Sequence, residues 1–85
     1  MKNNWLITFR SVTFAQKGER VLQKAGIDCT LQRTPKELSK QGCGYCLRVR
    51  AKDVMNAVEL LRENQVSYGK TYALKGDGRP EERVL

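Results

Sequence analysis

The sequence predicts an α+β sandwich in which two helices cover one face of a four-stranded antiparallel sheet. Three observations predict it. Four short segments rich in branched and aromatic residues alternate with two of helical periodicity. Their order along the chain is β-α-β-β-α-β, the split βαβ or ferredoxin-like arrangement. The apolar positions of both helical segments also form single stripes that need one common surface to cover.

Each element has a local reason. Trp5-Leu6-Ile7-Thr8-Phe9-Arg10 is aromatic and branched, and reads as the first strand. Ser11 or Thr13 can cap the helix that follows, Thr13 having capping-box spacing to Gln16. Phe14, Gly18, Val21, Leu22 and Ala25 are expected on its inner face, and Gly26 ends it by accepting positive φ. Residues 27–33 alternate apolar and polar side chains as a second strand, and Thr34-Pro35 breaks it and opens a short helical turn to about Lys40. Tyr45 to Arg50 is the third strand, and Asp53 to about Asn64 the second helix, with Val54, Ala57, Val58 and Leu61 inward. Val66, Tyr68, Lys70, Tyr72 and Leu74 share one parity, which predicts a fourth strand over 66–74. The expected organisation is one ferredoxin-like domain over 1–75 and a flexible C-terminal tail over 76–85.

Composition narrows the function. Of 85 residues 40% are hydrophobic and 29% charged, which suits a single globular domain and excludes a disordered chain. Apolar runs are far shorter than the roughly 20 residues of a membrane span, and no signal-peptide run precedes the first strand. A cytoplasmic location with reduced thiols and no membrane partner is therefore expected, and an odd count of 3 cysteines argues against a disulfide scaffold. The net charge of +7 would favour anionic partners, but its lysines and arginines are scattered.

The chemistry concentrates at Gly42-Cys43-Gly44-Tyr45-Cys46, in a chain with 0 histidines. Without imidazole there is no histidine-based nucleophile activation and no Cys/His zinc finger. In the expected topology the third strand starts beside the end of the first. Cys43 then lies near Arg10 and the first helix N-terminus at Ser11 to Thr13, where positive charge lowers a thiol pKa. Gly42 and Gly44 would let another molecule approach, and Arg10, Ser11, Gly42 and Gly44 form the candidate thiolate-stabilising set. Cys46 shares parity with Arg48 and Arg50 and is expected on the open sheet face; Cys29 is expected in the core with Ile27 and Leu31.

Four readings of the Cys43/Cys46 pair compete. A thioredoxin-like motif normally opens a helix, whereas this pair enters a strand. A metal site needs about four ligands, so Cys43 and Cys46 would have to be shared across a dimer. A carrier thiol needs one activated cysteine, with the second available for exchange. The pair can also be inert. The open face, expected to carry Thr8, Arg10, Gln32, Arg48 and Arg50, offers Arg48 and Arg50 as an anion- or partner-binding pair. It lacks the stacking aromatics of an RNA-recognition sheet, since Trp5, Phe9 and Tyr45 share parity with the core, so nucleic acid is not favoured.

Two segments carry a family resemblance. Leu6-Ile7-Thr8-Phe9-Arg10-Ser11 with Thr13 and Ala15, and then Thr34-Pro35-Lys36-Glu37-Leu38-Ser39 leading to Gly42-Cys43-Gly44, resemble the putative selenium/sulfur carrier protein-like family. The resemblance extends to about Leu74 and is most specific in the Pro-x-x-x-Ser…Cys-Gly segment. It implies a chalcogen carrier whose Cys-Gly cysteine maps onto Cys43. The resulting expectation is a sulfur or selenium carrier, an accessory protein more than a stand-alone enzyme. Cys43 would accept a persulfide or selenide equivalent, Cys46 would resolve it, and no cofactor would be needed. Its partner would be a cysteine desulfurase or another selenium/sulfur-transfer enzyme, with the chain monomeric or homodimeric. The alternatives are a non-enzymatic basic module binding anions, nucleic acid or protein, and the metal-linked dimer.

Overall fold

A computed structural model describes residues 4–34, 44–75 and 79–83. The expected turn over 35–40 lies outside them. The elements are β1 (Asn4–Phe9), α1 (Val12–Lys24), β2 (Cys29–Arg33), β3 (Tyr45–Arg50), α2 (Ala51–Glu63), β4 (Thr71–Leu74) and β5 (Pro80–Glu82). They form an α+β structure whose antiparallel sheet runs β2-β3-β1-β4-β5, with both helices against one face.

The expectation of four strands is corrected to five. Residues 80–82, assigned to a flexible tail by their charge, instead pair with β4 from Tyr72↔Glu82 to Leu74↔Pro80. A three-residue strand opening on proline gives no periodicity signal, so the sequence could not show it. The Thr71 hydroxyl donates to the Arg83 carbonyl, and Arg83 N–H donates back to Thr71 O at 2.9 Å, which ties the segment down.

The core lies between the sheet and the helices. Ile7 and Phe9 of β1 and Leu47 and Val49 of β3 meet Ala15 and Leu22 of α1 and Val54, Ala57, Val58 and Leu61 of α2. The inner face of α2 is the one the sequence predicts. That of α1 is rotated from the prediction: Ala15, Gly18 and Leu22 are buried, while Phe14 is 40% exposed and Ala25 is at the surface. Gly18 explains the rotation. A Cβ there would stand 3.1 Å from both Leu61 Cδ2 and Phe9 Cζ and 3.3 Å from Leu47 Cδ1, so α1 rests on the sheet through a residue with no side chain. Glycine inside a helix costs about 1 kcal/mol relative to alanine, which close packing here offsets.

Both helices stop in the same way. After α1, Gly26 N–H donates to Gln23 O and Ile27 N–H to Leu22 O; after α2, Gln65 N–H donates to Arg62 O and Val66 N–H to Leu61 O. Each is a Schellman turn, with the buried pairs Ile27/Leu22 and Val66/Leu61 closing it. The left-handed position is Gly26 (φ 79) in one and Gln65 (φ 58) in the other.

The predicted fourth strand over 66–74 is shortened to 71–74, and its single parity is broken. Gly69 and Lys70 together oppose Thr8. Gly69 N–H donates to Thr8 O at 2.6 Å, and Thr8 N–H donates to Lys70 O at 2.9 Å. The Thr8 hydroxyl accepts from Lys70 N–H at 2.8 Å and donates to Lys70 O at 3.0 Å. Two residues against one is a β-bulge, and the extra residue exchanges the faces beyond it. Val66 and Tyr68 therefore meet the core, whereas Tyr72 pairs with Leu6 on the face away from the helices.

Two substitutions check these constraints. Gln65→Gly relieves a left-handed backbone and raises unfolding stability by about 0.5–1 kcal/mol, net of the added unfolded-state entropy. Gly18→Val drives a branched side chain into Leu61, Phe9 and Leu47 and lowers stability by about 2 kcal/mol or more. Urea midpoints at constant m-value read both.

Candidate functional site

The pairing of β1 with β3 builds the candidate site. Their register runs from Asn4↔Arg50 to Phe9↔Tyr45, so the chain entering β3 at Gly44 lies beside the end of β1, one residue from Arg10. Gly42 and Cys43 lie outside the described residues. Cys43 immediately precedes Gly44 in the chain, so the described geometry stops one residue short of the candidate thiol.

Gly44 has an internal reason to be glycine. Its carbonyl accepts from Thr34 N–H at 2.9 Å, and a Cβ on it would stand 3.0 Å from Thr34 Oγ1. Ser11 is the N-cap of α1, its Oγ accepting from Phe14 N–H at 3.3 Å. The first turn of α1 contains no acidic residue, so the positive end of its dipole is not neutralised from within, and Arg10 beside it is exposed.

The proposed anion pair does not join this group. Arg48 stands between Leu6 and Thr30 in the sheet, with its side chain exposed. Arg50 caps the far end of β3 and approaches Asp28 at 3.9 Å, a long contact between exposed groups. Five strand steps separate Arg50 from Tyr45, about 17 Å. Arg10, Ser11 and Gly44 therefore cluster at one end of the sheet, and Arg48 and Arg50 lie toward the other. Thr8, also expected on the open face, has its hydroxyl committed to Lys70.

Cys46 occupies the face the sequence indicates but not the environment. It pairs with Thr8 on one side and Gln32 on the other, away from the helices, yet its exposure is 0%; Leu6, on the same face, is at 1%. The expectation of an accessible Cys46 is corrected accordingly. Its Sγ lies 3.9 Å from the Arg33 carbonyl. Burial pushes the Cys46 thiol up, with hydrogen bonds from the Gln32 and Thr34 side chains pulling the other way. Thr34 Oγ1 is itself buried and meets no partner at ordinary hydrogen-bond geometry, so its help is weak and burial dominates. Thr34 is the residue that sequence reasoning missed. It continues the Thr30, Gln32 alternation of β2, and that parity was the available signal.

Cys29 is half-buried against the core, as expected, and its Sγ donates to Glu19 O at 3.9 Å. Burial, reinforced by the charges of Glu19 and Asp28, pushes its pKa from the ordinary thiol value of 9.0 to about 11. Among the described residues no group of three or more His, Cys, Asp or Glu is placed to hold a metal ion. No described helix is long and apolar enough to cross a membrane. A shallow concavity of about 350 Å³ lies elsewhere, between the C-terminal end of α1 and α2, with Asp53, Glu59 and Glu63 on its wall.

A family model described as "Putative Se/S carrier protein-like" matches residues 4–73. The chain belongs to that family. The match takes in β1 to most of β4, including the Pro-x-x-x-Ser…Cys-Gly segment, and ends before β5. No curated protein matches the sequence.

The thiol environments have a measurable consequence. Cys29 keeps its proton to higher pH when folded than when unfolded, so between pH 9 and about 11 the unfolded chain binds fewer protons. Stability is then full below pH 9 and falls as pH rises through that window. Denaturant titrations should show this fall, and Cys29→Ala should reduce it, the remainder coming from the buried Cys46 thiol, whose pKa is raised in the same direction.

Proposed function

We propose that the protein is a single-cysteine carrier of sulfur or selenium in which Cys43 alone bears the cargo. The reading rests on family membership together with the burial of the other thiols. Cys46 has no solvent exposure, and Cys29 is half-buried with a raised pKa, so neither is poised as a nucleophile at neutral pH. The first four strands, in the order β2-β3-β1-β4, supply a ferredoxin-like frame, and β5 is an addition to it.

The chemistry needs no redox partner. The Cys43 thiolate attacks the terminal sulfur of a donor enzyme's cysteine persulfide. The donor S–S bond breaks, the donor leaves as a thiolate, and Cys43 becomes the persulfide. An acceptor nucleophile then takes that terminal sulfur and returns Cys43 to its thiolate. The positive end of α1 and the exposed Arg10 would favour the anionic forms of Cys43 at both stages. Because Cys46 is enclosed, discharge falls to an external acceptor and not to an internal disulfide. A metal shared across a dimer through Cys43 and Cys46 is disfavoured on the same ground. A reducing cytoplasm would suit such a carrier, with a cysteine desulfurase as the donor.

Incubation with a cysteine desulfurase and cysteine, followed by intact-protein mass spectrometry, tests the reading. The wild type and Cys46→Ser should each gain one sulfur atom, about 32 Da, by thiolate exchange. Cys43→Ser should gain none. An undiminished adduct on Cys43→Ser, or none on the wild type, overturns the reading. The absence of any adduct on the wild type would return attention to a basic binding module built on the exposed Arg48.

A further inference from the structure

The sheet ends in two outer strands, and they are finished differently. β5 is three residues long and begins with Pro80. Its Glu81 and Glu82 pair with Lys75, Arg83 and Lys70 at 3.4–3.6 Å. Short length, proline and charge are features that keep a further strand from adding to an edge. β2 has none of them. Cys29-Thr30-Leu31-Gln32-Arg33 runs five residues without proline or glycine, and its single charge is at the last position. In a chain that is 29% charged, four successive uncharged residues on an outer strand are conspicuous. Among the described residues, no strand pairs with the outer side of β2.

We propose that β2 is a homodimer interface, pairing antiparallel with β2 of a second copy so that the two sheets become continuous. The strand is self-complementary in that arrangement. With the two-fold axis at Leu31, the two Leu31 side chains meet on the helix-bearing side. Thr30 then stands opposite the partner's Gln32 on the other side, a polar pair of the kind that stabilises cross-strand contacts. Antiparallel pairing about Leu31 also sets Cys29 opposite the partner's Arg33 and Asp28 opposite the partner's Thr34, so no like charges face each other across the contact. A closed two-fold pairing satisfies both free edges at once and leaves no template for further addition. The interface does not depend on the carrier reading, since no cysteine has to react to form it.

Sedimentation velocity on the full chain, over a concentration series reaching the millimolar range, tests the proposal. The wild type should pass from monomer to dimer. Thr30→Lys places a charge in the middle of the edge on an exposed side chain, and should raise the dimer dissociation constant about tenfold or more, the equivalent of about 1.4 kcal/mol. Gln23→Lys adds the same charge on the exposed side of α1 and should leave dimerisation unchanged. Hydrogen exchange supplies a second measurement that needs no variant: protection of the β2 amides should rise with protein concentration while that of β5 stays constant. A wild type that remains monomeric throughout, a dimer that Thr30→Lys leaves intact, or concentration-independent exchange in β2 each overturns the proposal.

Discussion

The rest of the structure depends on the pairing of β1 with β3. Six residue pairs, from Asn4↔Arg50 to Phe9↔Tyr45, join segments some forty positions apart in sequence. This contact decides which ends of the sheet lie together. It brings Gly44 to the point where the chain leaves β1 and starts α1. It also carries Arg48 and Arg50 away from that point. With the register fixed, strand alternation leaves little freedom: Trp5, Ile7, Phe9, Leu47 and Val49 face the helices, and Leu6, Thr8, Cys46 and Arg48 face the other way.

Where the physical signal was dense, the sequence was legible. The bounds of β3 and the inner face of α2 could be read residue by residue, because each combines regular periodicity with a clear chemical contrast between faces. The signal failed where a single residue outweighed the pattern. Phe14 is the most apolar side chain in α1, yet Gly18 decides which side of that helix approaches the sheet. Parity placed Cys46 on the correct face but could not report its enclosure, because enclosure depends on what stands around a residue and not on its own spacing. The site was legible only in part for the same reason. Arg10, Ser11 and Gly44 converge as the topology required, whereas the hydroxyl of Thr34 became visible only in three dimensions.

The environment of Cys46 changes what the Gly42–Cys46 motif means. A Cys-x-x-Cys spacing invites a two-thiol mechanism, but Cys46 has no solvent exposure and a thiol held neutral by burial. In Cys46 the sulfur behaves as a small apolar group, enclosed between Thr8 and Gln32 and near the carbonyl of Arg33. Neither the buried Cys46 nor the half-buried Cys29 asks for a metal or a disulfide to explain its presence. Cys29 fills space under α1 in the same manner.

The bulge at Gly69 and Lys70 gives the connection from α2 to β4 an odd–even character. Losing one residue of the pair, Gly69 or Lys70, would remove the bulge and leave a regular alternation in which Tyr68 and Thr71 still face the helices and Tyr72 still faces away. Losing both, with Val66 and Tyr68 held in the core, would turn β4 over, carrying Tyr72 and Leu74 toward the helices and Thr71 and Ala73 outward. Tolerance to length change in this segment should therefore follow parity, with removal of the single extra residue tolerated and removal of both the more damaging. Because β5 is attached only through β4, the same arithmetic governs whether the fifth strand remains in the sheet.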